Sequence, residues 1–282
     1  MILTIIFLAI TAICLLGLVY LARRLYKSTH PIRIYSAQNP LYPYGKAYHD
    51  ITFYSEDFLQ LHGWFVPNIN SDTIIIICHG YLSAKSGPLD STIFLSDTYN
   101  LFYFDFRGHG LSSGTHTTIG QKETLDLKAA INWAALKGFK KIGIFGISMG
   151  GTITLLCPDD RVSAIIVDSP FASFRQMVFY DCRKKILANL HAYLMLWMIK
   201  HVIKINTNQI EPLFTIEKIK CPIFLFHSIQ DERTPYTQAQ QLIQKKPDIE
   251  LWEIPTGEHC KAYENFPDIY ADKILDFFKK NL

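Results

Sequence analysis

One stretch of the sequence, Lys141–Thr152, limits what the whole chain can fold into. An apolar, β-branched run is followed by a turn with the pattern G-x-S-x-G at Gly146, Ser148 and Gly150, and then by a short helical pattern. Between a strand and a helix, such a turn strains the backbone of the serine and exposes its hydroxyl, which predicts a nucleophile elbow. The alternative is a helix-opening turn without chemistry, so the rest of the chain must supply partners for Ser148.

Composition excludes several classes of protein. The chain has 282 residues and is 49% hydrophobic, which fits one large α/β domain or two small ones. The net charge of +3 is spread along the chain and indicates no nucleic-acid partner. The six cysteines form no C-x-x-C pair and no zinc-ligand spacing, which favours a reduced compartment. We expect no metal and, without a P-loop or a G-x-G-x-x-G motif, no nucleotide cofactor.

The N-terminal residues 1–22 contain no charged side chain and are followed by Arg23, Arg24 and Lys27. Such a run matches a hydrocarbon core of about 30 Å, and it lacks the basic start and short apolar core of a cleaved signal. We therefore predict a single-pass transmembrane anchor over residues 1–22 and a juxtamembrane linker over residues 23–47. Because the basic residues lie only after the apolar run, the following domain is expected on the cytoplasmic side.

Residues 48–282 read as one α/β domain in which strands and helices alternate. We predict a mostly parallel eight-stranded sheet with helices on both faces. The predicted strands are His49–Tyr54, Leu59–Phe65, Thr73–Cys78, Asn100–Phe106, Lys141–Gly146, Ala164–Val167, Pro222–Phe226 and Ile249–Ile254. The predicted helices are Leu89–Tyr99, Gln121–Leu136, a short one after Ser148 that Cys157-Pro158 ends, Tyr236–Lys245 and Glu264–Lys280. The first two strands alternate in polarity and predict an antiparallel hairpin.

Residues 171–212 interrupt the alternation of strands and helices. They separate two predicted strands by a segment far longer than an ordinary helix-to-strand loop. They are rich in aromatic residues and methionine, as in the run Leu194–Ile199. We interpret them as an inserted helical cap whose apolar groups either form an acyl-chain pocket or only pack the cap onto the sheet.

Polar residues follow the predicted parallel strands, whose carboxyl ends line the ligand crevice in sheets of this kind. Ser148, Asp231 and His259 follow three of these strands, in the chain order expected for a nucleophile, an acid and a base. Two alternatives to Asp231 stay open, Asp168 after the sixth strand and the adjacent Glu232.

Six motifs in order carry a resemblance to a known family. They are H-G-x at His79, D-x-R-G-H-G-x-S-x-G at Asp105, G-x-S-M-G-G at Gly146, D-S-P-F at Asp168, H-x-x-x-D-x-x-x-P at His227 and G-x-H at Gly257. The chain resembles α/β-hydrolases of the serine aminopeptidase and monoglyceride lipase type, close to the membrane-anchored Bem46-like group. The likeness covers residues 48–281. Ser228 stands where that family usually has glycine.

The resemblance implies a role for each motif residue. His259 would take the proton of the Ser148 hydroxyl, and Asp231 would accept a hydrogen bond from the other nitrogen of that imidazole. The backbone N–H groups of Tyr81 and Met149 would form the oxyanion hole. The helix after Ser148 is short, which could loosen the Met149 donor.

Other polar residues near these motifs have structural interpretations. We expect His79 to shape the loop under the oxyanion hole. Arg107 and His109 are expected to fix the loop after the fourth strand, with Asp105 as one possible partner. Cys260 invites a redox role, but packing is the simpler interpretation.

These features predict a membrane-anchored serine hydrolase that cleaves carboxylic esters, with an apolar or acylated small molecule as substrate. A serine peptidase or amidase would use the same residues. A non-catalytic binding protein on the same fold is the third possibility, against which the intact Ser148, Asp231 and His259 argue. No feature of the sequence identifies a protein partner.

Overall fold

The computed structural model describes residues 1–282, except for the side chains of residues 9, 10, 13 and 14, so the side chain of Cys14 lies outside the description. An eight-stranded sheet with the order β1-β2-β4-β3-β5-β6-β7-β8 forms its centre. Its strands are β1 (His49–Tyr54), β2 (Gln60–Val66), β3 (Thr73–Cys78), β4 (Asn100–Phe104), β5 (Lys141–Ile147), β6 (Val162–Asp168), β7 (Ile223–Ser228) and β8 (Glu250–Ile254). The predicted α/β sheet is thus confirmed.

Strands β1 and β2 form the predicted antiparallel hairpin, and β2 also runs antiparallel to β4. All other neighbours are parallel. The carboxyl ends of β3 to β8 therefore lie along one edge of the sheet, and this edge holds the motif residues predicted from the sequence.

The helices are α1 (Ile2–Thr29), α2 (Leu89–Thr92), α3 (Glu123–Leu136), α4 (Met149–Leu156), α5 (Phe174–Cys182), α6 (Ala188–His201), α7 (Thr237–Lys245), α8 (Ala262–Asn265) and α9 (Pro267–Asn281). The run Thr73–Cys78 shows why both faces need covering. Ile74 and Ile76 belong to the apolar cluster that contains residues of α3 and α4, whereas Ile75 and Ile77 pack with residues of α9. Side chains alternate along a strand, so an unbroken apolar run requires two covered faces.

Two predicted helices are not single continuous α-helices in the structure. The predicted helix Leu89–Tyr99 is a single α-helical turn that continues as a 3₁₀ helix, Ile93–Asp97. The predicted helix Glu264–Lys280 is divided at Pro267, where α9 begins. Proline lacks an N–H and fits the first turn of a helix, so it starts a new helix here.

Helices α5 and α6 lie in the predicted cap segment and share an apolar cluster with the end of α1. Leu21 and Leu25 of α1 are 2% and 3% exposed and pack in the cluster that contains Phe174, Val178 and Met195. The beginning of α1 is different, because Leu3 and Phe7 there are 83% and 68% exposed.

The predicted transmembrane anchor over residues 1–22 is not supported by the structure. Among the residues whose side chains are described, no helix is long and apolar enough to cross a membrane.

The predicted linker is attached to the sheet domain through Arg33. Its guanidinium donates to the carbonyl oxygens of Gly110 and Ser112, at 2.7 and 2.6 Å, and also to that of Gly114. These carbonyls belong to the loop that follows β4, so the guanidinium connects the chain after α1 with a loop at the carboxyl edge of the sheet.

Candidate active site

Ser148 lies between β5 and α4 with φ of 52° and ψ of −115°. A non-glycine residue at positive φ is strained, and the strain persists because the turn is fixed on both sides. The N–H of Ser148 donates to the carbonyl of Asp168 at 2.7 Å, and the Ser148 carbonyl accepts from Thr152 at 3.0 Å. The turn between β5 and α4 thus holds the serine at the end of the strand, as the sequence predicted.

The glycines around Ser148 are required by close backbone contacts. A Cβ atom at Gly146 would lie 2.7 Å from the carbonyl oxygen of Gly150, and one at Gly150 would overlap the carbonyl oxygen of Cys78 at the end of β3. At both positions a Cβ atom would come closer to backbone atoms than close packing allows, so only glycine fits. These close backbone contacts bring α4 against the ends of β3 and β5.

We expect Gly150→Ala to destabilise the fold by about 3 kcal/mol, at the upper end of the cost of overpacking, because the added methyl meets rigid backbone. The midpoint of urea unfolding measures this change. Gly80→Ala is the matched control, since a Cβ there would have its nearest neighbour at an ordinary 3.4 Å. A Gly150→Ala midpoint equal to that of Gly80→Ala would contradict the close approach.

The structure brings Ser148, His259 and Asp231 together although they lie far apart in the sequence. The Oγ atom of Ser148 is 2.8 Å from Nε2 of His259, and Nδ1 of the same ring is 2.6 Å from Oδ2 of Asp231. The other oxygen of Asp231 accepts the backbone N–H groups of Arg233 and Thr234 at 2.8 and 2.7 Å. The carboxylate is therefore held in place on both oxygens.

Asp168, one of the alternatives to Asp231, does not contact His259 directly. Its carboxylate accepts a hydrogen bond from the hydroxyl of Ser169 at 2.8 Å. Burial raises the pKa of Asp168 to about 6, because an ionised carboxylate without a cationic partner is poorly solvated there. The structure therefore places Asp231 rather than Asp168 in the hydrogen-bond chain with His259. Glu232, the other alternative, is exposed.

Tyr81 and Met149, whose N–H groups are predicted to form the oxyanion hole, lie at the same cavity as Ser148. Met149 opens α4, where the first N–H groups of a helix have no partner within the helix. A hydrogen bond of 2.7 Å joins Nδ1 of His79 to the carbonyl of Gly80, and Nε2 of the same ring accepts the N–H of Phe106 at 3.1 Å. Nδ1 therefore carries the proton.

This contact of His79 orients the peptide bond between Gly80 and Tyr81. The C=O and N–H of a trans peptide point in opposite directions, so a carbonyl held toward His79 turns the Tyr81 N–H away from it. Burial lowers the pKa of His79 to about 3, which keeps the ring neutral at any physiological pH. The role that the sequence suggested for His79, shaping this loop, agrees with its contacts.

We expect His79→Leu to lower kcat by about 10²-fold, close to the effect of losing one oxyanion donor, because the peptide that carries the Tyr81 N–H would lose its restraint. The KM of a short ester should change little, since the donor acts mainly on the transition state. Steady-state kinetics checks both values. A variant whose KM rises while kcat stays constant would contradict this role.

The loop after β4 is fixed by buried ion pairs that differ from those expected. Asp105 pairs with Lys85, whose Nζ lies 2.6 Å from the carboxylate, and not with Arg107. Arg107 instead donates to Asp126 of α3 and to Asp57 of the β1–β2 turn. Lys85 could not be predicted as this partner, because a lone lysine in a loop forms no recognisable pattern. Arg107 still fixes the loop, as predicted.

Ser228 and Cys260 also have structural contacts. The Ser228 hydroxyl, where the resembling family has glycine, donates to the carbonyl of Gly257 and so connects the loop after β7 with the loop that carries His259. Burial, followed by the nearby carboxylates of Asp168 and Asp231, raises the pKa of the Cys260 thiol well above its ordinary range. Cys260 is therefore a protonated thiol at neutral pH, which agrees with a packing role.

Two cavities of different character meet at Ser148. One has a volume of about 460 Å³ and is lined by polar groups that include Ser83, Asp90 and Glu264. The other has a volume of about 250 Å³ and extends under the segment of α5 and α6, with mostly apolar walls. Arg233 borders both cavities. Sequence reasoning missed this residue, although its position two residues after Asp231 placed it at the same edge of the sheet.

A serine hydrolase of the α/β-hydrolase type is the class of protein that this fold and this site define. The chain belongs to the prolyl oligopeptidase family, whose model matches residues 92–282. The resemblance to α/β-hydrolases of the Bem46-like type, predicted from the motifs, is confirmed.

Three individual proteins are similar to this chain. The chain is 28% identical over 230 residues to the uncharacterized protein YqkD of Bacillus subtilis, with 77% of this chain and 75% of that protein covered. It is 25% identical over 195 residues to the lysophosphatidylserine lipase ABHD12 of Danio rerio, with 64% and 49% covered. An esterase of Pyrococcus furiosus has a similar structure, with a TM-score of 0.74, 27% identity, and 90% of this chain and 98% of that chain covered.

Proposed function

We propose that this protein hydrolyses carboxylic esters of an apolar acyl group through an acyl-enzyme on Ser148. The observation that carries the proposal is the hydrogen-bond chain from Ser148 through His259 to Asp231, placed where an apolar and a polar cavity meet. An ester of a fatty acid and a polar alcohol has two halves of this character. Relatives named as an esterase and as a lipase support ester chemistry.

The proposed reaction runs in two steps. Ser148 Oγ attacks the ester carbonyl while its proton moves to Nε2 of His259, and Asp231 stabilises the imidazolium through Nδ1. The N–H groups of Tyr81 and Met149 bind the oxyanion. The tetrahedral intermediate expels the alcohol, which takes the proton from His259. Water then attacks the acyl-enzyme by the same route and releases the acid.

A panel of esters, thioesters and aminoacyl amides with matched acyl groups tests the proposal. The expected result is turnover of esters, with the highest kcat/KM for apolar acyl groups. A chain that cleaves amides but not the matched esters would overturn the proposed substrate and favour a serine peptidase or amidase. The match to the prolyl oligopeptidase family makes that the second candidate.

The proposal includes attachment to a membrane through residues 1–22. Its support is the uncharged apolar run in the sequence, the basic residues Arg23, Arg24 and Lys27 after it, and the exposed apolar side chains at the start of α1. Extraction of the full chain from membranes with alkaline carbonate is the test, and release into the supernatant would refute attachment. Protease accessibility in sealed vesicles would test the proposed cytoplasmic side.

A further inference from the structure

The end of α1 forms one wall of the apolar cavity at Ser148. Leu25, Ser28 and Thr29 line this cavity together with Met195 and Ile199 of α6. Leu25 and Thr29 are almost fully buried there, at 3% and 2% exposure. These α1 residues lie within residues 23–47, the segment that the sequence suggested as a linker, yet they are helical and contribute surface to the cavity next to the candidate nucleophile.

The same end of α1 is attached to the loop that carries a proposed oxyanion donor. The hydroxyl of Tyr81 donates to the carbonyl of Ser28 at 3.0 Å, and the carbonyl of Thr29 accepts the N–H of Thr117 at 2.7 Å. Carbonyls in the last turn of a helix have no partner within the helix, so they are available for these contacts. The position of α1 is therefore fixed relative to Tyr81 and Ser148.

The apolar surface of α1 continues from this wall toward its beginning. Leu18, seven residues before Leu25 and therefore on the same face of α1, is 44% exposed, whereas Leu21 and Leu25 are buried against the segment of α5 and α6. An extended apolar group that lies along α1 therefore meets apolar side chains from the exposed part of the helix to the cavity. Three charged residues border the cavity: Arg24 and Asp181, which lie 4.0 Å apart as an ion pair, and Arg233.

We propose that the end of α1 is part of the acyl-binding site, and that the long acyl chain of a lipid lies between α1 and α5–α6 with its carbonyl at Ser148. This inference rests on the proposed function and names its substrate class, esters of long-chain fatty acids supplied by a lipid surface. The helix then selects the length of the acyl chain, in addition to any role as an anchor.

Ser28→Phe, in the full chain purified in detergent micelles, tests the proposal. Ser28 is half-buried and its hydroxyl bonds only within its own helix, to the carbonyl of Arg24, so the added ring would project into the cavity. Lys27→Phe is the matched control, because Lys27 is the exposed neighbour and does not line the cavity. Both variants keep the carbonyls that accept the Tyr81 hydroxyl.

The measured quantity is the rate of Ser148 modification by a dodecyl fluorophosphonate divided by the rate for the ethyl compound. The ethyl rate corrects for loss of folded protein. We expect the wild-type ratio to fall about tenfold in Ser28→Phe, as if about two methylene groups lost their burial, and to stay within about twofold in Lys27→Phe. An equal ratio in all three proteins, or a wild type without preference for dodecyl, would overturn the proposal.

Failure of the proposed function gives a different result. If neither compound modifies Ser148, its hydroxyl is not an active nucleophile and the proposed ester hydrolysis is refuted. Binding of a fluorescent dodecanoic acid to the same three proteins then decides the role of α1. Weaker binding in Ser28→Phe alone would support the acyl site, and equal binding in all three would reject it.

Discussion

Replacing Ser148 with alanine is expected to lower kcat for ester hydrolysis by about 10⁶-fold, as the loss of a triad nucleophile does in other serine hydrolases. The variant should also lose all labelling by fluorophosphonates. Ser169→Ala is the matched control, because Ser169 also follows a strand with a positive φ of 52° but bonds to Asp168 and not to His259. Its activity should stay within about tenfold of wild type. Labelling that persists in Ser148→Ala would refute the assignment of the nucleophile.

Substitutions of Ser148 should also reveal the backbone strain at this residue. Glycine adopts positive φ without steric cost, so Ser148→Gly should unfold at a higher denaturant concentration than Ser148→Ala, by about 1 kcal/mol of unfolding free energy. Because both variants lack the hydroxyl, the comparison isolates the backbone. Equal stabilities would mean that the turn carries no strain.

Replacing Asp231 with asparagine is expected to lower kcat by about 10⁴-fold. The amide retains the shape of the carboxylate but favours the wrong tautomer of His259 and leaves the imidazolium without its anion. Steady-state kinetics with a short ester measures the effect. The substitution changes the group that lies 2.6 Å from Nδ1 of His259. A decrease in kcat of less than about tenfold would contradict the role of Asp231.

Asp168→Asn is the matched control, since this buried carboxyl lies nearby but bonds to Ser169. Its kcat should fall by less than about tenfold. Above about pH 6 this variant should be more stable than wild type. The folded-state pKa of Asp168, about 6, lies above the ordinary value of 3.8, so the wild type loses stability as pH rises through this range and the carboxyl ionises. Urea midpoints at pH 5 and pH 8 test this, and a variant no more stable than wild type at pH 8 would contradict it.

Much of the fold could be predicted from the sequence because its signals are local. The run Thr73–Cys78 is buried on both faces, and its bounds in the structure are those predicted. Pro158 ends α4 at Leu156, since a residue before proline is disfavoured in a helix. The helix predicted at Leu89–Tyr99 was less accurate, because its later turn packs as a 3₁₀ helix and apolar spacing does not separate the two forms.

The candidate site could be predicted in part for a related reason. Residues that follow parallel strands share one edge of the sheet, so the order of Ser148, Asp231 and His259 was readable without contacts. The partners of the buried charged residues could not be predicted from the sequence, because the pair of Lys85 and Asp105 depends on how two loops approach each other. The contribution of Leu25 and Ser28 to the wall of the apolar cavity could not be predicted either, because no motif near them in the sequence indicates that they lie close to Ser148.

Arg33 changes where this protein can be shortened. The first strand begins at His49, and a sequence-based boundary there would discard Arg33 as part of a flexible leader. Its guanidinium, however, donates to the carbonyls of Gly110, Ser112 and Gly114. Recombinant versions intended for crystallisation, and fusions that exchange the N-terminal helix for another, should therefore start before Arg33. The part of the chain that is bonded to the sheet domain thus includes a residue that precedes the first strand.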